Sequence, residues 1–275
     1  METLSDGAVL SFGLESADPS VHEANWLNCD PAQLKTAIRL INKHGRVRGE
    51  RGLPKLLPGL NFIAGLNGET EATYGMNMAL LRDIRSEGLL LRRINIRQVE
   101  GEGFQEVPSN AFASFKAACR DDIDKPLLEE LFPLGEIIHD VHWESHDGRT
   151  RLPVHETELH RAPGVHGRAG ITFGRQIGAY PILVGVEYKI PLETQSSVMI
   201  TGHGARSITG VEVGLDPLTV TEKQLEAIPG IGKKSAWSLV AARAKLRSMG
   251  KAVELQPWLE KANVPLTEAV RNIFQ

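Results

Sequence analysis

The chain has 275 residues, 41% of them hydrophobic, 5% aromatic and 24% charged, with a formal net charge of −3. That length suits two domains or one domain with appendages, and the apolar share is enough for a buried core. No run of about 18 apolar residues occurs, so no membrane-spanning helix is predicted. The polar, acidic start Met1-Glu-Thr-Leu-Ser-Asp6 does not read as a signal peptide, and two scattered cysteines, Cys29 and Cys119, fit a reducing cytoplasm rather than a disulfide framework.

In chain order, Ala8–Leu14 is a short apolar run predicted as a buried strand. Asp30-Pro31 opens a helix: Asp30 is the N-cap, Pro31 sits in the first turn, and Gln33 completes a capping box. Leu34, Ala37, Ile38 and Ile41 mark its buried face, and Gly45 closes it. After a basic loop, Leu60–Leu66 is the next strand. Thr70 caps a helix with Tyr74, Met78, Leu81 and Ile84 facing inward, Gly88 ends it, and Leu89–Val99 is a third strand. This βαβαβ order predicts parallel strands with right-handed crossovers. Three such strands leave both sheet edges open, so either another chain supplies the neighbours or the fragment is poorly stable alone.

The character changes near residue 106. Ala111–Cys119 and Asp124–Phe132 read as helices. Ile137–Trp143, Ile182–Tyr188 and Val198–Thr201 read as strands of a small antiparallel sheet or barrel, closely punctuated by glycine and proline. The end is helical, with a second capping box at Thr221 and Gln224, a helix from Ser235 to Arg243, and a last helix capped by Thr267. Residues 221–275 carry nine Lys or Arg against five Asp or Glu, a local charge of +4 on a body of −7. This places any polyanion contact at the C-terminus; the other reading is chance asymmetry. The predicted division is 1–105, 106–215 and 216–275.

Several clusters carry chemistry. Leu225-Glu-Ala-Ile-Pro-Gly-Ile-Gly-Lys-Lys-Ser-Ala236 resembles the helix-hairpin-helix motif. Gly230 and Gly232 would let the backbone approach a phosphate, Ile231 would plug the hairpin into the helix pair, and Lys233 and Lys234 would add positive charge. The other reading of this segment is packing alone. Phe173-Gly-Arg175-Gln176 reads either as an anion-gripping pair or as turn chemistry. His139, His142, His146, His155, His160 and His166 are concentrated in one stretch. His142, Glu144 and His146 would share a strand face, which admits a metal site or simply a polar face; no metal is assigned.

Phe12-Gly-Leu-Glu-Ser-Ala-Asp18, Leu56-Leu-Pro-Gly-Leu-Asn-Phe-Ile63 and Glu87-Gly-Leu-Leu-Leu-Arg-Arg-Ile-Asn-Ile-Arg-Gln-Val99 together resemble an archaeal type of radical S-adenosylmethionine (SAM) protein with a C-terminal helix-hairpin-helix. Phe173–Pro181 and Arg206–Gly210 extend the likeness over most of residues 7–243. The resemblance implies an α/β fold that is the C-terminal half of a radical SAM barrel, then a small β-rich module and an all-α helix-hairpin-helix end. It implies that Glu15 and Ser16 meet the ribose or methionine of SAM, that Ile63 touches the adenine with Gly65 allowing close approach, and that Arg97 faces the barrel mouth. An ion pair with Glu69 or Glu15 is the alternative role for Arg97.

The CxxxCxxC loop of that family is absent. A 4Fe-4S cluster would therefore come only with a partner, the N-terminal radical SAM half as a separate polypeptide. The expected function is a fragment or subunit of a radical SAM enzyme acting on nucleic acid, by analogy an RNA-modifying one, with no catalytic residue assigned. The alternatives are a non-catalytic DNA- or RNA-binding protein working through Gly230–Lys234, and a truncated frame without independent function.

Overall fold

The computed structural model describes residues 4–104, 106–146, 170–178 and 180–275. His155, His160 and His166 lie outside the described residues. The chain forms two compact units, one of residues 1–131 with 178–180, the other of residues 132–177 with 181–275.

The first unit is built on a three-stranded parallel sheet in the order β1 (Ala8–Glu15), β2 (Leu56–Ala64), β3 (Arg93–Gln98). The central strand β2 is buried along nearly its whole length, as a strand covered on both faces must be. Helix α1 (Pro19–Asn25) follows β1 and is capped by Asp18, whose carboxylate accepts the Ser20 N–H at 2.9 Å. Helix α2 (Pro31–Gly45) starts at Asp30, which takes the N–H groups of Ala32 and Gln33, and it packs on β2 through Leu34, Ile38 and Ile41. The buried Asn42 amide ties α2 to the chain ahead of β3: it donates to Ile38 O and Leu90 O and accepts the Leu90 N–H. Helix α3 (Glu71–Ser86) carries a Thr70–Thr73 capping box and packs against α4 (Ser109–Ala118). Phe115 of α4 meets Phe62 of β2 edge-on at 5.7 Å and Tyr74 of α3 at 5.8 Å. A π-helical turn (Cys119–Asp124) then leads into α5 (Lys125–Leu131).

The second unit contains a closed five-stranded barrel: β4 (Ile137–His146), β5 (Thr172–Gln176), β6 (Leu183–Val186), β7 (Gln195–His203) and β8 (Ser207–Glu212). The order around it is β4-β5-β6-β8-β7, and β7 returns to β4. Every pairing is antiparallel except β6 with β8. This is the connectivity of the five-stranded Greek-key barrel of the oligonucleotide/oligosaccharide-binding type. The lumen is filled by Ile138, Val141, Trp143, Val184, Val186, Val198, Ile200 and Ile208, all fully buried. Gly174 sits opposite Trp143; a Cβ there would lie 2.8 Å from the indole, so the strand needs glycine at that point.

Among the described residues four helices complete this unit: α6 (Glu222–Ala227), α7 (Lys233–Ser248), α8 (Leu255–Glu260) and α9 (Glu268–Ile273). Leu225, Ile228, Ile231, Leu239, Trp258, Val270 and Ile273 form one core with Met199 of β7 and Val211 of β8. Among the described residues no helix is long and apolar enough to cross a membrane.

These observations correct the expected fold class. In place of half a radical SAM barrel the first unit has an open sheet of three parallel strands, each outer strand paired only with β2 among the described residues. Barrel closure couples strand number, tilt and stagger, and three strands in the order 1-2-3 do not meet that condition. The closed barrel lies in the other unit, and it is a mixed five-stranded one where a small antiparallel sheet or barrel was expected. The C-terminal helices are not a free-standing all-α end, because they share their core with two barrel strands.

Trp258 is fully buried, donates its indole N–H to Leu239 O at 2.8 Å and meets Phe274 edge-on at 6.0 Å. Trp258→Ala is expected to cost about 3–5 kcal/mol, and replacement of the exposed Leu40 by Ala less than about 0.5 kcal/mol; urea unfolding of each variant checks the contrast.

Candidate nucleic-acid interface

The α6–α7 hairpin is fixed by local chemistry at both ends. Thr221 and Gln224 form a reciprocal capping box, with the Thr221 N–H donating to Gln224 Oε1 at 2.9 Å and the Gln224 N–H to Thr221 Oγ1 at 3.2 Å. The chain leaves α6 at Ile228, turns through Pro229-Gly230-Ile231-Gly232, and re-enters helix at Lys233. Gly230 has φ +87°, a left-handed conformation that a side chain would strain. The Ile231 N–H donates to Ile228 O at 2.9 Å, closing the turn, and both isoleucine side chains are buried in the shared core.

What remains outward is backbone and charge. Pro229, Gly230, Gly232, Lys233 and Lys234 are exposed, and nothing lies within 4 Å of a Cβ built on Gly230 or Gly232. Gly232 is the N-cap of α7 and supplies no side-chain cap, so the first-turn N–H groups point out of the helix uncapped. Neither lysine forms an ion pair with a described residue. Trp237, one turn on, is 63% exposed on the same helical face as Lys233. Arg243 serves the fold instead: its guanidinium donates to Pro217 O and Val220 O, and burial lowers its pKa. A groove of about 560 Å³ lies beside the hairpin, floored by Thr201, Thr209 and Gly210 and walled by Ile228–Gly232, with Glu187 and Glu226 also lining it. Glu226 is paired with Lys223 at 2.6 Å.

The other predicted residues lie in the first unit, at the C-terminal ends of the parallel strands. Glu15 ends β1 with φ +64° and opposes Phe62; Ile63 and Arg97 are register partners on β2 and β3. Burial raises the Glu15 pKa and the Arg97 charge pulls it back. Ser16 is fully buried, its hydroxyl accepting the Asp18 N–H at 3.1 Å. The Gly65 N–H donates to Glu69 Oε2 at 2.6 Å. Glu15, Ile63 and Arg97 thus share one sheet end, while Ser16 and the Gly65 N–H are occupied within the fold.

The reading of the sequence missed the polar group behind them. Thr73 donates to Asp18 Oδ2 at 2.6 Å, and the Ala17 N–H donates to Asn77 Oδ1 at 2.6 Å. The Asp18-Pro19 pair, an N-cap followed by a first-turn proline, was the signal for α1. The barrel histidines are drawn to separate partners: His142 to Glu193, His146 to Ile190 O and His139 to Ser197. Glu144 binds Arg175, and among the described residues no group of three metal-ligating side chains gathers.

Burial raises the Glu69 pKa above its ordinary 4.5, more than the Gly65 N–H and the Tyr74 hydroxyl lower it. The folded state therefore holds the proton more tightly than the unfolded one. The stability this contributes is complete below the ordinary pKa and is lost as pH rises through the folded one. Glu69→Gln keeps an acceptor for Gly65, and its melting temperature is expected to rise relative to the wild type on going from acid to neutral pH. Thermal melts of both proteins across that range check the sign.

No family model matches the chain. It is 38% identical to an uncharacterised protein of Archaeoglobus fulgidus over 234 residues, which are 82% of this chain and 40% of that protein. It is 35% identical to an uncharacterised protein of Methanocaldococcus jannaschii over 215 residues, 74% of this chain and 36% of that one. The chain therefore spans less than half the length of these archaeal relatives.

Proposed function

We propose that the chain binds nucleic acid through the Pro229–Gly232 turn and the first turn of α7, by contact with phosphate rather than with base edges. The observation that carries this reading is the combination at one tip: exposed glycine backbone, an uncapped helix start and two lysines without ion pairs to described residues. First-turn N–H groups carry the partial positive charge of the helix and suit a phosphate oxygen. The lysines add a Coulombic attraction that is independent of sequence and weakened by salt. Ile231 in the core keeps the tip in place, in keeping with the likeness to a helix-hairpin-helix. A cytoplasmic location belongs to the same reading, with neither Cys29 nor Cys119 in a disulfide.

A second reading puts S-adenosylmethionine at the strand ends of the first unit, with a 4Fe-4S cluster held by another polypeptide. The shared position of Glu15, Ile63 and Arg97 favours it. The residues do not fit the whole group: the Ser16 hydroxyl and the Gly65 N–H are already engaged, and two cysteines do not make a three-cysteine cluster site. No reaction step follows from them.

Lys233→Glu with Lys234→Glu is expected to abolish binding of a labelled oligonucleotide at moderate salt. At low salt, where residual binding is measurable, the slope of log affinity against log salt should fall by about 2. Lys251→Glu with Lys261→Glu makes the same charge change at exposed sites away from the turn and should lower affinity far less. Fluorescence anisotropy over a salt series measures both; unchanged affinity in the first pair removes the hairpin assignment.

A further inference from the structure

We infer that the barrel continues the hairpin groove into a track for single-stranded nucleic acid, with a base stacked on Phe173; the track rests on the hairpin reading for its backbone end. Pairing across the barrel aligns Phe173 of β5 with Gly185 of β6, Gly185 with Thr209 of β8, and Thr209 with Gly202 of β7. Phe173 alternates with the buried Thr172 and Gly174, so its ring is on the outside of the barrel, and it is partly exposed. The ring lies across Gly185, where a Cβ would come 3.4 Å from Phe173 Cε1. One face of the aromatic thus rests on a residue with no side chain.

Thr209 is exposed and is also part of the floor of the groove walled by Ile228–Gly232. Successive strands are about 4.8 Å apart, so Phe173 and Thr209 are separated by roughly 10 Å, a span of one to two nucleotides. Beyond Thr209 the same surface reaches the hairpin backbone. The row is aromatic, glycine, threonine, glycine, a low floor between a stacking ring at one end and outward N–H groups at the other. A single strand uses both, because its bases are free to stack while its phosphates follow the backbone. In barrels of this connectivity the face of the second and third strands, here β5 and β6, and the loop between the fourth and fifth are where oligonucleotides lie. That loop here is Gly204-Ala205-Arg206, all exposed, so Arg206 adds a cation at the same face.

Charge sets the balance along the track. Arg175, next on the same face, is paired with Glu144 and is not a spare cation. Glu187 and Glu226 put carboxylates on the groove, so it is not a general sink for polyanions, and contact must come from stacking and from the turn rather than from a basic wall.

The test is anisotropy of labelled oligo(U), oligo(dT) and a duplex of equal length, with the whole chain. Phe173→Leu keeps an apolar cover over Gly185 and removes the ring; it is expected to weaken both single strands roughly tenfold or more while leaving duplex affinity and the salt slope unchanged. Thr209→Glu, exposed and mid-track, should weaken the single strands as well. Thermal melts confirm that both variants are folded. A preference for oligo(U) over oligo(dT) would assign the track to RNA, and equal affinity to single strands of either sugar. Wild-type affinity for single strands in both variants, with loss in the Lys233/Lys234 variant, overturns the track and leaves the hairpin standing. Loss in Phe173→Leu without loss in the lysine variant keeps the stacking platform and removes the hairpin. No single-strand binding by the wild type overturns the track, and no binding of single strand or duplex overturns the hairpin as well.

Discussion

The burial of Ile228 and Ile231 in one core with Met199 and Val211 is the constraint on which the second unit depends. These side chains pull the turn between two helices down onto two barrel strands. The residues between and after them, Gly230 and Gly232, are consequently held outward with their backbone in the open. A hairpin attached only by its helices would swing with each of them. One anchored at its tip presents its N–H groups from a fixed position, which is what a phosphate contact without side-chain specificity requires.

The same anchoring gives the barrel a wet side and a covered side. The faces of β7 and β8 around Met199 and Val211 are taken by helices, whereas Thr201 and Thr209, further along the same strands, stay open as the groove floor. Gly185 and Gly202 keep that floor low, and Phe173 lies at its edge. Basic residues are sorted by the same logic. Arg243 and Arg175 are spent on carbonyls and on a carboxylate, leaving Lys233, Lys234 and Arg206 as cations toward solvent near the groove and the β5–β6 face.

The first unit has a different economy. Its polar side chains at the strand ends bind one another and the backbone, Thr73 to Asp18, Asn77 to Ala17 and Glu69 to Gly65, and these bonds shape the turns after β1 and β2. Burial raises the Glu69 pKa, a cost carried by the fold and offset by packing around Tyr74 and Phe115.

Signals that act over one helical turn were legible in the chain itself. Asp30, Thr70, Thr221 and Thr267 each cap a helix where the residue type and spacing say they should, and Ile231 is buried between two exposed glycines. What depends on partners distant in sequence was not. Phe173–Gln176 reads as a turn or an anion grip because Gly174 and two polar residues interrupt it. It becomes a strand where the missing Cβ of Gly174 leaves room for His142 O and the Trp143 ring, and where the Gln176 amide donates to His139 O. The parallel pairing of β6 with β8 closes the barrel across more than twenty residues of chain, and no local pattern encodes it. Likewise βαβαβ periodicity fixed parallel strands in the first unit but not whether they curve into a barrel, since closure is a property of the whole sheet. Capping and burial periodicity are set by neighbours along the chain; sheet closure, and which glycine lies beneath which aromatic, are set by neighbours in space.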